Sequence, residues 1–129
     1  GLANLRSVQR AFERVGVDAP IVTTPEEIAR ASHLVLPGVG AVADAITHIR
    51  EKQLEAPIKQ HIDAAKPFLG ICLGLQMLFE TCHEGGTHRG LGVLAGDCVR
   101  FDLDTRLGLK VPHMGWNRLT MRTPSPLFQ

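Results

Sequence analysis

The sequence predicts an α/β fold, a mostly parallel sheet with helices on both faces followed by a β-rich C-terminal part. Three observations carry this. Amphipathic helical stretches alternate with short apolar or β-branched runs as far as Glu80. The apolar runs end at proline or glycine, as buried parallel strands do. Beyond Glu80 the composition turns polar and glycine-rich over His83–Gly90, after which Val93–Leu103 and Trp116–Met121 read as strands.

Taken in order, Asn4 is a good N-cap for a helix whose apolar residues Leu5, Val8, Phe12 and Val15 recur every three or four positions, with Gly16 closing the pattern. Pro20-Ile21-Val22-Thr23 is a short β-branched strand candidate. Thr24-Pro25-Glu26-Glu27 then supplies an N-cap, a proline at the first helical position and a glutamate at the third, a capping box that opens a second helix. His33-Leu34-Val35-Leu36 reads as a buried strand stopped by Pro37-Gly38, and residues 41–65 as a long helical stretch broken near Pro57. Pro67–Ile71 is another apolar strand, turning sharply at Cys72-Leu73-Gly74 into a helix over Leu75–Glu80. No internal repeat is present, and residues 1–129 form a single domain in this reading.

Composition narrows the function classes. The chain has 129 residues, 44% of them hydrophobic and 21% charged, which suits a globular domain. Fourteen basic against thirteen acidic side chains leave a net charge of +1, with no electrostatic case for nucleic acid or an anionic membrane. No apolar stretch approaches the ~18 residues of a membrane-spanning helix, and the first residues lack the basic and apolar regions of a secretory signal. Three cysteines, Cys72, Cys82 and Cys98, without Cys-x-x-Cys spacing, argue against a disulfide framework or a zinc site and for a reducing, cytoplasmic setting. No metal and no cofactor are expected.

The chemistry concentrates at Gly70-Ile71-Cys72-Leu73-Gly74. Gly-x-Cys-x-Gly between an apolar strand and a helix has the form of a nucleophile elbow, in which flanking glycines make room for a strained turn. The helix N-terminus beyond it offers N–H groups to a thiolate or a developing oxyanion. A buried core thiol is the alternative, and the expectation for Cys82 and Cys98. A thiol nucleophile needs a histidine base. Of the six histidines, His33, His48 and His61 read as structural or solvated, His83 and His88 lie in a glycine-rich loop, and His113 carries no pattern that marks a base. Leu36-Pro37-Gly38-Val39-Gly40 ends its strand with glycines that let a backbone N–H face a ligand, or else it is a plain turn. Val111–Asn117 holds the lone tryptophan, Trp116, in the manner of an interface anchor or a core corner.

Pro37-Gly38-Val39-Gly40, Gly70-Ile71-Cys72-Leu73-Gly74-Leu75-Gln76 and Pro112-His113-Met114-Gly115-Trp116-Asn117, together with Asn4-Leu5-Arg6-Ser7-Val8, resemble the glutaminase subunits of imidazole glycerol phosphate synthase, class I (triad) glutamine amidotransferases of histidine biosynthesis. The resemblance implies a flavodoxin-like domain in which Cys72 attacks the carboxamide of glutamine. Backbone N–H groups of Gly40 and Leu73 would form the oxyanion hole, and Gln76, Gly38 and Val39 would contact the substrate. Ammonia would pass to a (β/α)8 cyclase partner in a heterodimer, with Asn4, His113, Met114, Trp116 and Asn117 on the partner-facing side. The family's base lies in a His-Pro-Glu motif, which these residues do not contain. Together with glycine as residue 1, this predicts a fragment lacking both ends, with the catalytic His and Glu beyond Gln129. Such a fragment is expected to expose apolar surface and aggregate. A glutaminase of another pathway, such as pyridoxal phosphate synthesis, and a non-catalytic module that retains the elbow are the competing readings.

Overall fold

The computed structural model describes residues 2–102, 111–112 and 115–125, with side chains from Leu5 onward. The elements are α1 (Leu2–Arg14), α2 (Pro25–Arg30), β1 (Leu34–Gly38), α3 (Val42–Glu51), α4 (Glu55–Asp63), β2 (Phe68–Cys72), α5 (Leu73–Gln76), β3 (Phe79–Cys82), β4 (His88–Arg89) and β5 (Leu94–Cys98). Among the described residues β1 and β2 form a parallel pair, and β4-β3-β5 a second sheet in which β3 runs antiparallel to β4 and parallel to β5. The protein is therefore α/β, with parallel pairing in both sheets.

Helix ends follow the local chemistry closely. α1 stops in a Schellman motif, in which the Gly16 N–H donates to the Glu13 carbonyl and the Val17 N–H to the Phe12 carbonyl, with Gly16 at φ 81°. Its start differs from expectation: Asn4 lies inside the helix rather than capping it. At α2 the capping box is complete, the Thr24 hydroxyl accepting from the Glu27 N–H while the Glu27 carboxylate accepts from the Thr24 N–H. That carboxylate also accepts from the Thr23 N–H and the Thr24 hydroxyl. The Thr23 and Thr24 N–H bonds, followed by the Thr24 hydroxyl, hold the Glu27 carboxyl below the usual range.

The long helical stretch is interrupted at residues 52–54, where Gln53 takes φ 56°, and not at Pro57. Pro57 occupies the first turn of α4, where a missing N–H costs nothing. Strand β1 runs through Pro37 and Gly38 instead of stopping before them, and it begins at Leu34, one residue after His33. Residues 20–23 form no strand, since no described strand offers their backbone a ladder. Residues 116–121 likewise form none, and of the 93–103 stretch only Leu94–Cys98 is strand; Leu103 lies outside the described residues. The largest difference follows the sharp turn. α5 is a single turn, and Phe79 and Glu80 leave the expected helix to open β3. Long-range pairing overrides the local period here: the Leu91 N–H donates to the Met77 carbonyl, the Gly92 N–H to that of Phe79, and the Val93 and Leu94 N–H groups to that of Leu78.

The core gathers Ile28, Leu34, Val42, Ile46, Ile49, Ile58, Leu73, Met77, Leu78, Cys82 and Leu91, so it joins the helices to both sheets. Ile58, Met77 and Leu91 are fully buried, and each contributes on the order of 2 kcal/mol by leaving water. His61 is buried beside them on α4. Its Nε2 lies 3.0 Å from the Pro67 carbonyl, so that nitrogen carries the hydrogen and the side chain acts as a structural strut.

Candidate functional site

Parallel pairing of β1 and β2 fixes where the turn falls. The register aligns Leu34 with Phe68 and proceeds to Gly38 opposite Cys72, so both strands end together at one carboxyl edge, the place where open α/β folds hold their ligands. Gly38-Val39-Gly40 and Cys72-Leu73-Gly74 are thereby neighbours, as the sequence reading required of a site built from both.

Cys72 bridges strand and helix at φ 53°, ψ −118°. That conformation costs a non-glycine residue about 1–3 kcal/mol and persists only where its surroundings impose it. The surroundings are glycines. A Cβ on Gly74 would collide with the Leu36 carbonyl of β1, and one on Gly70 would lie 3.0 Å from the Leu75 Cα and 3.1 Å from its nitrogen. A Cβ on Gly38 would sit 2.9 Å from the Leu73 Cβ and 3.0 Å from the Gly74 nitrogen. The three glycines thus let β1, β2 and α5 close on one another with the cysteine at their meeting point. The Leu73 side chain is buried in the core at 2% exposure, which anchors the far side of the turn. Cys72 itself is exposed, so it is not a core thiol.

Gly40 has φ 91°, in the left-handed region, so its peptide is oriented in a way closed to most residues. Val39 is half exposed beside it. Gln76 ends α5, and its carbonyl accepts from the Cys82 thiol at 3.2 Å. α5 is too short to carry much of a macrodipole, so any anion at the turn would be held by individual N–H groups rather than by a helix field.

The remaining candidates fall elsewhere. Trp116 and Asn117 lie outside any helix or strand; Trp116 is fully exposed and therefore no core corner, and the Asn117 Oδ1 accepts from the Arg118 N–H at 2.9 Å. Asn4 sits in α1, but its side chain is outside the described residues, as are His113 and Met114 altogether. Among the other histidines, His33 is 3.1 Å from the Ser32 hydroxyl and His83 is 3.3 Å from the Asp97 carboxylate. Both are thus engaged away from Cys72. Among the described residues no group of three metal-type ligands gathers, and no helix is long and apolar enough to cross a membrane.

A cavity of about 890 Å³ lies along β1, lined by Val22, Leu34, Leu36, Val39, Asp44 and His48 among others. It shares Gly38, Val39 and Gly40 with the turn, but Cys72 is not in its wall. Its lining is mostly apolar, with Thr23, Asp44, His48 and Lys52 as the polar exceptions, and the strained cysteine lies outside it.

One supporting residue was not legible in the sequence. Arg50, at the end of α3, pairs with Glu55 at 2.9 Å and donates across to the carbonyls of Arg89 and Gly90. The next residue, Leu91, donates to Met77 just past α5, so Arg50 braces the segment that holds the turn from behind. The Arg50/Glu55 spacing was the signal available, and by itself it reads as an ordinary surface pair.

Comparison with known proteins gives the turn its context. Across 121 residues, 94% of this chain, the sequence is 60% identical to the imidazole glycerol phosphate synthase subunit HisH of Rhodopirellula baltica, of which it covers 58%. It is 47% identical to the HisH subunits of Syntrophotalea carbinolica and Aquifex aeolicus, over the whole chain and 64% and 61% of theirs. The chain thus spans about three-fifths of the length of the curated relatives it matches. The model of the CobB/CobQ-like glutamine amidotransferase domain matches residues 9–107, a span that includes β1, β2 and the whole of the glycine-flanked turn. By that match, the chain belongs to the CobB/CobQ-like glutamine amidotransferase domain family.

Proposed function

We propose that this chain is the nucleophile-bearing part of a glutaminase subunit of imidazole glycerol phosphate synthase, working in histidine biosynthesis. The observation that carries the reading is Cys72 held at φ 53° between Gly70 and Gly74, exposed at the carboxyl edge of a parallel strand pair. The names of the relatives, with up to 60% identity, support the pathway.

In this reading the Cys72 Sγ attacks the carboxamide carbon of glutamine. A C–S bond forms, negative charge moves to the carbonyl oxygen, and the Leu73 and Gly40 N–H groups receive it. Collapse of the adduct breaks the C–N bond, ammonia leaves with a proton supplied by the base, and water hydrolyses the γ-glutamyl thioester to glutamate. Gln76, Gly38 and Val39 line the substrate. The base and the acid that orients it belong, in this reading, to the two-fifths of the relatives' length that this chain does not span. Ammonia passes to a (β/α)8 cyclase subunit in a heterodimer, and Asn4, His113, Met114, Trp116 and Asn117 face it. The exposure of Trp116 suits such an anchor. The same reading completes the sheet around β1 and β2 with helices on both faces and places the protein in the cytoplasm. It requires no cofactor.

The test is ammonia release from glutamine by the full-length subunit, alone and with its cyclase and that partner's ligand. Cys72→Ala should abolish it while leaving the partner bound. Retention of activity in that variant would overturn the assignment. Ammonia transfer to a pyridoxal phosphate synthase in place of the cyclase would overturn the pathway and keep the chemistry.

A further inference from the structure

Outside the turn, the molecule holds a second pair of sulfurs. Cys82 on β3 and Cys98 on β5 are direct register partners in a parallel ladder. Partners across a ladder point to the same face, and adjacent strands lie about 4.8 Å apart, within the Cα separation that a disulfide spans. The register is fixed locally, because the His83 N–H donates to the Cys98 carbonyl at 2.9 Å. His83 and Asp97, the residues next to the two cysteines, pair with each other at 3.3 Å. Cys82 is buried, at 1% exposure, whereas Cys98 is half-buried and both are free. The two therefore differ in access but not in alignment.

We propose that Cys82 and Cys98 form a dithiol site that reacts with low-molecular-weight disulfides and closes into a cross-strand disulfide. Cys98, the accessible partner, attacks one sulfur of the oxidant and releases its other half as a thiol. Cys82 then attacks the Cys98 sulfur of the mixed disulfide and releases the second thiol. The oxidant is reduced to two thiols, which take the two cysteine protons, and the protein loses two electrons to one S–S bond. Closure also removes the thiol hydrogen that the Gln76 carbonyl accepts, so it reaches the end of α5. Burial pushes both thiols up, Glu84 adds to it at each, and Cys98 and Asp97 add to it at Cys82. The reaction is therefore slow at neutral pH and should accelerate about tenfold per pH unit below the thiol range, following the thiolate fraction.

The experiment treats the folded full-length protein with oxidised glutathione, blocks remaining thiols with iodoacetamide without denaturation, and maps the peptides by mass. The expected product is a Cys82–Cys98 cross-linked peptide pair, with Cys72 carrying glutathione or the alkyl label. In Cys98→Ser the cross-link should vanish and Cys82 should remain unlabelled until the protein is denatured. Glutathione that stays on Cys98 with no closure would overturn the proposal, and so would cross-linking of either cysteine to Cys72. Because the readout is a mass and not glutamine turnover, its outcome is independent of the function proposed above.

Discussion

Two glycine-rich bends in this molecule look alike in sequence and differ in what their glycines do. In the turn from Gly70 to Gly74, a methyl group on either glycine would drive into backbone, the Leu36 carbonyl in one case and Leu75 in the other. In the loop that follows β3, an added Cβ on Gly85 would meet open space, whereas one on Gly90, just past β4, would drive into the Phe79 carbonyl. The first bend is a close approach of three elements, whereas Gly85 marks a surface excursion in which glycine serves only the backbone dihedral, φ 66°. Glycine content therefore does not identify a site. At Gly70 and Gly74 the crowding coincides with a strained, exposed cysteine, whereas at Gly90 it only seats one backbone segment against Phe79.

That contrast can be broken by experiment. The largest effect should come from Cys72→Ser, which we expect to lower glutamine hydrolysis by more than roughly 10³-fold with little change in the unfolding midpoint, as read by ammonia release and denaturant titration of the full-length protein. Gly74→Ala should follow, costing more than about 3 kcal/mol or preventing folding, because its new methyl group has only a backbone carbonyl to displace. Gly85→Ala should cost only about 1 kcal/mol, the strain of a left-handed residue in open space. Comparable unfolding free energies for the two alanine variants would erase the distinction drawn here. Replacing Cys72 with glycine should remove activity yet stabilise the fold by about 1 kcal/mol, since the positive φ then carries no penalty.

The smallest effect is electrostatic and lies away from both bends. The hydrogen bonds that lower the Glu27 carboxyl form only in the folded chain, and at Glu55 those from Arg50 and Lys59 outweigh the burial that would raise it. A carboxyl lowered on folding adds stability that is present above its unfolded range and lost as pH falls through the folded one. Stability should therefore decline on acidification, and Glu27→Gln should flatten that decline in unfolding measured across the acid range. An unchanged slope would show that the capping box contributes nothing to it.

Local signals proved legible and long-range ones did not. Gly16, the Thr24/Glu27 box and the Cys72 turn were each readable because a few adjacent residues determine their own geometry. The expected helix over Leu75–Glu80 failed in its second half because Phe79 and Glu80 enter a strand whose partners, residues 88–98, lie well along the chain. Gln53 turns the chain between α3 and α4 with no glycine to announce it, while Pro57, the conspicuous breaker, sits harmlessly in a first turn. At the site, Cys72, Gly38 and Gly40 were readable as types, but their adjacency depends on the β1–β2 register. The Cys82–Cys98 alignment was invisible for the same reason, and Arg50 acts across forty residues of sequence.

Cys72 and Leu73 are consecutive residues with opposite surroundings, one open to solvent and the next sealed in the core. Reactivity and position are thereby assigned to different side chains. The atom at residue 72 can be exchanged for another nucleophile without the fold registering the change, whereas residue 73 contributes no reacting side chain yet decides where that atom stands. Variation at the first should alter what the protein does, and variation at the second whether it does anything at all.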